Sequence, residues 1–143
     1  FFHSVDNMKD IYIANHKSYL DKGYRKVSPF FVPGSIANMT SGFISIKYGL
    51  RGPNLCTVTA CSSGSHSVGQ AARSIAYGEA DAMVTGGSEM ASTELSISGF
   101  ISARALSLST NPKTASRPWD IDRDGFVLSD GAGALILEEL DND

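Results

Sequence analysis

The residue of this chain best placed for covalent chemistry is Cys61. The apolar run Leu55-Cys56-Thr57-Val58-Thr59-Ala60 precedes it and Ser62-Ser63-Gly64-Ser65 follows it. That spacing predicts a buried strand over 55–60 that turns into a helix at about 62. A thiol at such a junction faces the positive end of the helix dipole and amides without an intrahelical acceptor. Both stabilise a thiolate relative to a thiol, and the thiolate is the nucleophile. The small residues at 62–65 leave room for a substrate, and their backbone N–H groups could face a developing oxyanion.

No base is evident beside it. His66 follows Cys61 by five positions, roughly 500° of helical rotation, so the two side chains leave a helix about 140° apart. His3 and His16 have no partner pattern and read as ordinary surface or packed histidines. Cys56 fits the commoner fate of a free cysteine, a small buried hydrophobe. Two cysteines five positions apart make no disulfide framework, and no Cys-x-x-Cys or Cys/His spacing suggests a metal site. Reduced thiols of a cytoplasmic protein are therefore expected, with no metal and no bound cofactor. Thr85-Gly86-Gly87-Ser88 and Asp130-Gly131-Ala132-Gly133 match neither phosphate-loop pattern and are expected to be tight turns. Arg25, Lys26 and Arg104 could receive an acidic partner, or could equally be solvated surface charge.

The elements that would position these residues follow from periodicity. Met8, Ile11, Tyr12 and Tyr19 have a rough helical spacing that Asp21-Lys22-Gly23 ends. Two prolines in residues 28–34 predict a loop. Ser35 is expected to cap a second helix with Ile36, Met39, Phe43 and Ile46 on one face and Gly49 as a left-handed cap. A helix over about 62–77, with Val68, Ala71, Ala72, Ile75 and Ala76 as its buried stripe, ends at Gly78 and leads to a strand at 82–85. That strand would lie parallel to 55–60 across a strand-helix-strand crossover. Residues 125–128 and 134–138 predict a hairpin around the glycines at 131 and 133.

Composition bounds the rest. The chain has 143 residues, 42% of them hydrophobic and 19% charged, with a net charge of -3, as expected of one globular domain. Its pI near 5.5 and the lack of any basic run longer than Arg25-Lys26 argue against nucleic acid. No apolar stretch approaches the roughly 18 to 20 residues needed to cross a bilayer. The chain begins without Met and stops in Leu140-Asp141-Asn142-Asp143, and reads as an excised piece.

Five segments carry a family resemblance: Pro29-Phe30-Phe31-Val32-Pro33, Tyr48-Gly49-Leu50-Arg51-Gly52-Pro53, Thr59-Ala60-Cys61-Ser62-Ser63-Gly64, Ser116-Arg117-Pro118-Trp119-Asp120 and Arg123-Asp124-Gly125-Phe126-Val127. With them the chain resembles the beta-ketoacyl-acyl carrier protein synthases, in particular the bacterial KAS II elongating enzymes. The resemblance implies an α/β, thiolase-like fold, layered α-β-α-β-α. It has a mixed five-stranded sheet in each of two halves, and residues 1–143 would make up most of the first half. It implies that Cys61 takes the acyl chain from the phosphopantetheine of acyl carrier protein as a thioester, with its own N–H as half of the oxyanion hole. It further implies that Phe100 borders the acyl pocket, that Arg25, Lys26 and Arg104 face the carrier protein, and that the enzyme is a homodimer. The family's two catalytic histidines would lie beyond this chain, which accounts for the missing base. The expected activity is a decarboxylating Claisen condensation in fatty acid elongation. A polyketide ketosynthase is the alternative, and the isolated piece could be catalytically inert or a dimerising half-domain.

Overall fold

The computed structural model describes residues 6–140, with side chains from residue 11 onward. Five helices and two strands follow in the order α1 (Asp6–Lys22), α2 (Phe31–Ser35), α3 (Met39–Tyr48), α4 (Ser63–Ala76), β1 (Ala82–Glu89), α5 (Glu94–Ser102) and β2 (Gly131–Glu138). Helix α1 ends at Gly23, whose φ of 77° and N–H bond to Tyr19 O (2.9 Å) make the expected stop. Asn15 then ties α1 to the next segment, its Oδ1 accepting from the Ser28 N–H at 2.6 Å.

The proline-bearing stretch is not all loop. Phe31–Ser35 is a short helix with Pro33 in its first turn, where the missing N–H would have had no intrahelical acceptor anyway. Tyr12 of α1 meets Phe31 edge-on at 5.2 Å. Ser35 does not cap a second helix. Its hydroxyl donates to Val32 O at 3.1 Å, and Ile36 is extended (φ -83°, ψ 134°), so α3 starts only at Met39. Gly49 closes α3 as expected, with φ 67°. The expected apolar face is not core in this chain, since Phe43 and Ile46 are 60% and 75% exposed.

The sheet differs most from expectation. Residues 55–60 form no strand, so no parallel crossover exists. The run has β propensity, but a strand needs a ladder partner, and no described segment offers one. Instead β1, longer than 82–85, pairs antiparallel with β2, with Thr85 opposite Leu135 and Gly87 opposite Gly133. The hairpin is also absent. Gly131 and Gly133 lie inside β2, and Phe126 makes a parallel bridge to Leu106. The glycines serve close approach rather than a turn, because a Cβ on Gly86 (φ 151°) would overlap Gly133 O. The described residues contribute two strands, not the five of the expected mixed sheet.

Helix α4 lies on β1 and β2. Its buried stripe is Ser63, Ser67, Ala71 and Ser74, which shares only Ala71 with the expected one. Val68 and Ile75 are half-buried, and Ala72 and Ala76 are exposed. Small side chains bring this helix close to the sheet, and Gly64 Cα stands near Gly87. Gly78 (φ 70°) ends α4 as predicted, with its N–H on Ile75 O and that of Glu79 on Ser74 O, both 2.9 Å. The buried apolar residues are small: Ala71, Ala91 and Ala115.

Candidate active site

Cys61 occupies the middle of a 3₁₀ turn, Ala60–Ser62, that runs directly into α4. It is exposed, and its thiol is free of any disulfide. The junction is a sharp turn rather than a strand-to-helix step. Thr59 has φ -138° and ψ 41°, and Ala60 has a left-handed φ of 52°. For an alanine that conformation costs roughly 1 to 2 kcal/mol, so neighbouring contacts must hold it. The first bonded amide of the turn is that of Ser62, which donates to Thr59 O at 3.2 Å. The Cys61 N–H precedes it, in the part of a helix start that lacks intrahelical acceptors. An exposed sulfur and a leading amide on one residue can attack a thioester carbonyl and receive the oxyanion that results.

Among the described residues no histidine hydrogen-bonds to the Cys61 thiol. His66 turns back to Thr59, its Nδ1 sharing a hydrogen bond of 2.7 Å with Thr59 Oγ1. This agrees with the rotation argument that removed it as a base for Cys61. His16 is exposed on α1, and His3 lies outside the described residues. Cys56 is half-buried rather than buried, and its thiol donates to Ala37 O at 3.1 Å. Among the described residues no group of three or more His, Cys, Asp or Glu side chains could hold a metal ion.

Phe100 lies on α5, 37% exposed, with its ring edge-on to Phe126 at 5.2 Å. Arg25 and Lys26 share one exposed 3₁₀ turn, Tyr24–Lys26, where the Arg25 guanidinium lies 5.7 Å from the Tyr24 ring centre. Arg104 is exposed beyond the end of α5, in a left-handed conformation (φ 56°). Its N–H bonds Ile101 O at 2.9 Å and that of Ala105 bonds Phe100 O at 3.0 Å. This is the cap that Gly78 makes on α4, here carried by an arginine. Among the described residues no hydrogen bond or ring contact joins Phe100, Arg25, Lys26 or Arg104 to Cys61.

Two structural supports lie in stretches that the sequence reading singled out without assigning these roles to their side chains. Asp130 accepts from the N–H groups of Ala91 (2.8 Å) and Ser92 (3.0 Å) and from the Ser92 hydroxyl. The Ser92 hydroxyl, then the two amides, hold its carboxyl below the usual carboxylate range. Arg117 donates to Thr114 O and Asp122 O at 2.7 to 3.0 Å and pairs with Asp124 at 3.3 Å. Ser63 was also invisible as a support, although Ser62-Ser63 stood beside the thiol. The Ser63 hydroxyl turns inward, whereas Ser62 is exposed.

The profile of the beta-ketoacyl synthase N-terminal domain matches residues 4–143. The chain belongs to the beta-ketoacyl synthase family. Among its relatives are the 3-oxoacyl-[acyl-carrier-protein] synthase 2 of Vibrio cholerae, 59% identical over 90% of this chain and 31% of that protein, and of Staphylococcus aureus, 48% identical over 96% and 34%. The chain thus spans about a third of the length of the curated relatives it matches. A solved type II polyketide acyl-carrier protein in complex with its ketosynthase, AntDE:AntF, aligns with a TM-score of 0.84. It is 29% identical and covers 94% of this chain and 34% of that one. A beta-ketoacyl synthase from Burkholderia phymatum aligns at 0.75, 30% identical, covering 89% and 31%. The fold is the thiolase-like α/β fold of these ketosynthases, and Cys61 with its turn lies within the matched region.

Proposed function

We propose that the parent protein is a 3-oxoacyl-[acyl-carrier-protein] synthase of fatty acid elongation, and that this chain is most of the first of its two halves. One observation carries the reading: an exposed thiol on a tight turn at the start of α4, in a chain so similar to proteins of that name. The Cys61 thiolate attacks the thioester carbonyl of an acyl-carrier, and the tetrahedral oxyanion rests on the Cys61 N–H. Collapse forms the acyl-cysteine thioester and releases the carrier's phosphopantetheine thiolate. Malonyl-carrier then loses carbon dioxide, and the carbanion so formed attacks the acyl-cysteine carbonyl. A carbon-carbon bond forms, the Cys61 sulfur leaves, and a 3-oxoacyl-carrier two carbons longer departs. Covalent catalysis divides one difficult step into two easier ones.

In this reading Phe100 borders the acyl chain, and Arg25, Lys26 and Arg104 meet the acidic carrier protein. No resident cofactor is needed, because the substrates arrive on the carrier's arm. The protein works as a cytoplasmic homodimer. Among the described residues no helix is long and apolar enough to cross a membrane. The histidines for malonyl decarboxylation come from the rest of the parent protein, since His66 is engaged with Thr59. Alone, the 143 residues are inactive, as the wide exposure of Phe43, Ile46, Val58 and Ile136 suits a half-domain.

The polyketide reading keeps the same nucleophile and draws on the AntDE:AntF alignment. Assays of the full-length protein and its Cys61→Ala variant with acyl-carrier and malonyl-carrier decide. Elongation of saturated acyl chains by the parent and its loss in the variant support the proposal. Elongation retained by the variant overturns it, and acceptance of only poly-oxo chains favours the polyketide reading.

A further inference from the structure

The turn that presents Cys61 is strained, and two residues of the first turn of α4 hold it. Ser63 is 1% exposed. Its Oγ accepts from the Thr59 N–H at 2.8 Å and its hydroxyl donates to Ala60 O at 2.7 Å. One side chain thereby bonds the backbone on both sides of the left-handed alanine. His66, three positions further and on the same helix face, holds the Thr59 hydroxyl at 2.7 Å. Thr59 is clamped at its amide by Ser63 and at its side chain by His66. Behind the clamp the helix cannot retreat, because Gly64 already lies against Gly87 of β1.

We propose that Ser63 and His66 are positioning residues that act through Thr59 to hold Ala60 left-handed, and so keep the Cys61 sulfur presented to an acyl donor. Neither touches the reacting atoms. The inference rests on Cys61 being the nucleophile, and it gives a use to a histidine that the condensation chemistry leaves idle. Without the Ser63 hydroxyl the Thr59 N–H and Ala60 O lose their partner. Ala60 can then relax to a right-handed conformation, which turns the residue after it.

Reaction of the Cys61 thiol with iodoacetamide at pH 7, followed by peptide mass spectrometry on the full-length protein, reads presentation without reading condensation. The Cys56 thiol serves as reference. Ser63→Ala and His66→Leu are expected to slow Cys61 alkylation about tenfold, while Ser63→Thr and His66→Asn, which keep a hydrogen-bonding atom, restore most of the rate. In acylation assays the loss falls on kcat with KM for the acyl-carrier unchanged. Alkylation of both truncating variants within twofold of the parent, or equal rates for His66→Leu and His66→Asn, overturns the proposal. If Ser63→Ala does not fold, the exposed His66 pair decides alone. An acyl group found elsewhere than Cys61 defeats the functional reading instead, and leaves the alkylation comparison standing.

Discussion

Ser92 and Asp130, 38 positions apart, are joined twice: both the N–H and the hydroxyl of Ser92 donate to the Asp130 carboxylate. The neighbouring Ala91 N–H makes a third bond. Four residues before Asp130, Phe126 packs on Phe100 near the other end of α5, and its backbone exchanges bonds with Ala105 and Ser107 at 3.0 Å. Residues 126–130 therefore hold α5 at both ends. Nine helical residues rise about 13 Å, close to the span of five extended ones.

Asp130→Asn should loosen this attachment and lower the denaturant midpoint at pH 7. The sign with pH follows from the depressed carboxyl. Its stabilisation is complete above the unfolded value, about 3.9, and is lost as pH falls through the folded one. The gap between parent and variant should therefore begin to close below about pH 4. Urea melts at pH 7, 4 and 3 check it, and a gap constant across that range contradicts the account.

Glu89 predicts the opposite sign. Its Oε1 is buried without a hydrogen-bond partner, and burial first, then the Asp130 charge, pushes its carboxyl above the usual range. A raised acid costs nothing below its unfolded value, about 4.3, and destabilises increasingly as pH rises through the folded value. Glu89→Gln should be more stable than the parent at pH 8 and indistinguishable from it near pH 3.5, as measured by thermal melts at the two pH values.

Gly86→Ala should cost about 3 kcal/mol, through overlap with Gly133 O and a φ of 151° that side chains rarely adopt. Gly131→Ala, with open space around its Cβ, should be close to neutral. Chemical denaturation of the two variants compares them directly, and equal stabilities would show that the close β1–β2 approach is not required.

What the sequence revealed and concealed divides along a physical line. Local signals were readable: the glycine stops at 23, 49 and 78, the α4 helix, and a thiol at its start. Ladder partners were not, because β propensity in residues 55–60 says nothing of which segment pairs with it, and the antiparallel β1–β2 register sets Gly87 opposite Gly133 across 46 positions, with Gly86 close against Gly133 O. The candidate site was half legible. Cys61 declared itself by its neighbours, whereas the left-handed Ala60 and the inward-turned Ser63 hydroxyl depend on backbone angles that residue types do not reveal.

The central claim is that Cys61 carries the acyl chain. The full-length protein, incubated with an acyl-carrier of known chain length and digested under conditions that preserve thioesters, permits the adduct to be located by mass spectrometry. The account predicts one acyl group, on the peptide containing Cys61 and absent from Cys61→Ser. An acyl group on Cys56 or any other side chain, or none on Cys61 while elongation proceeds, would contradict it.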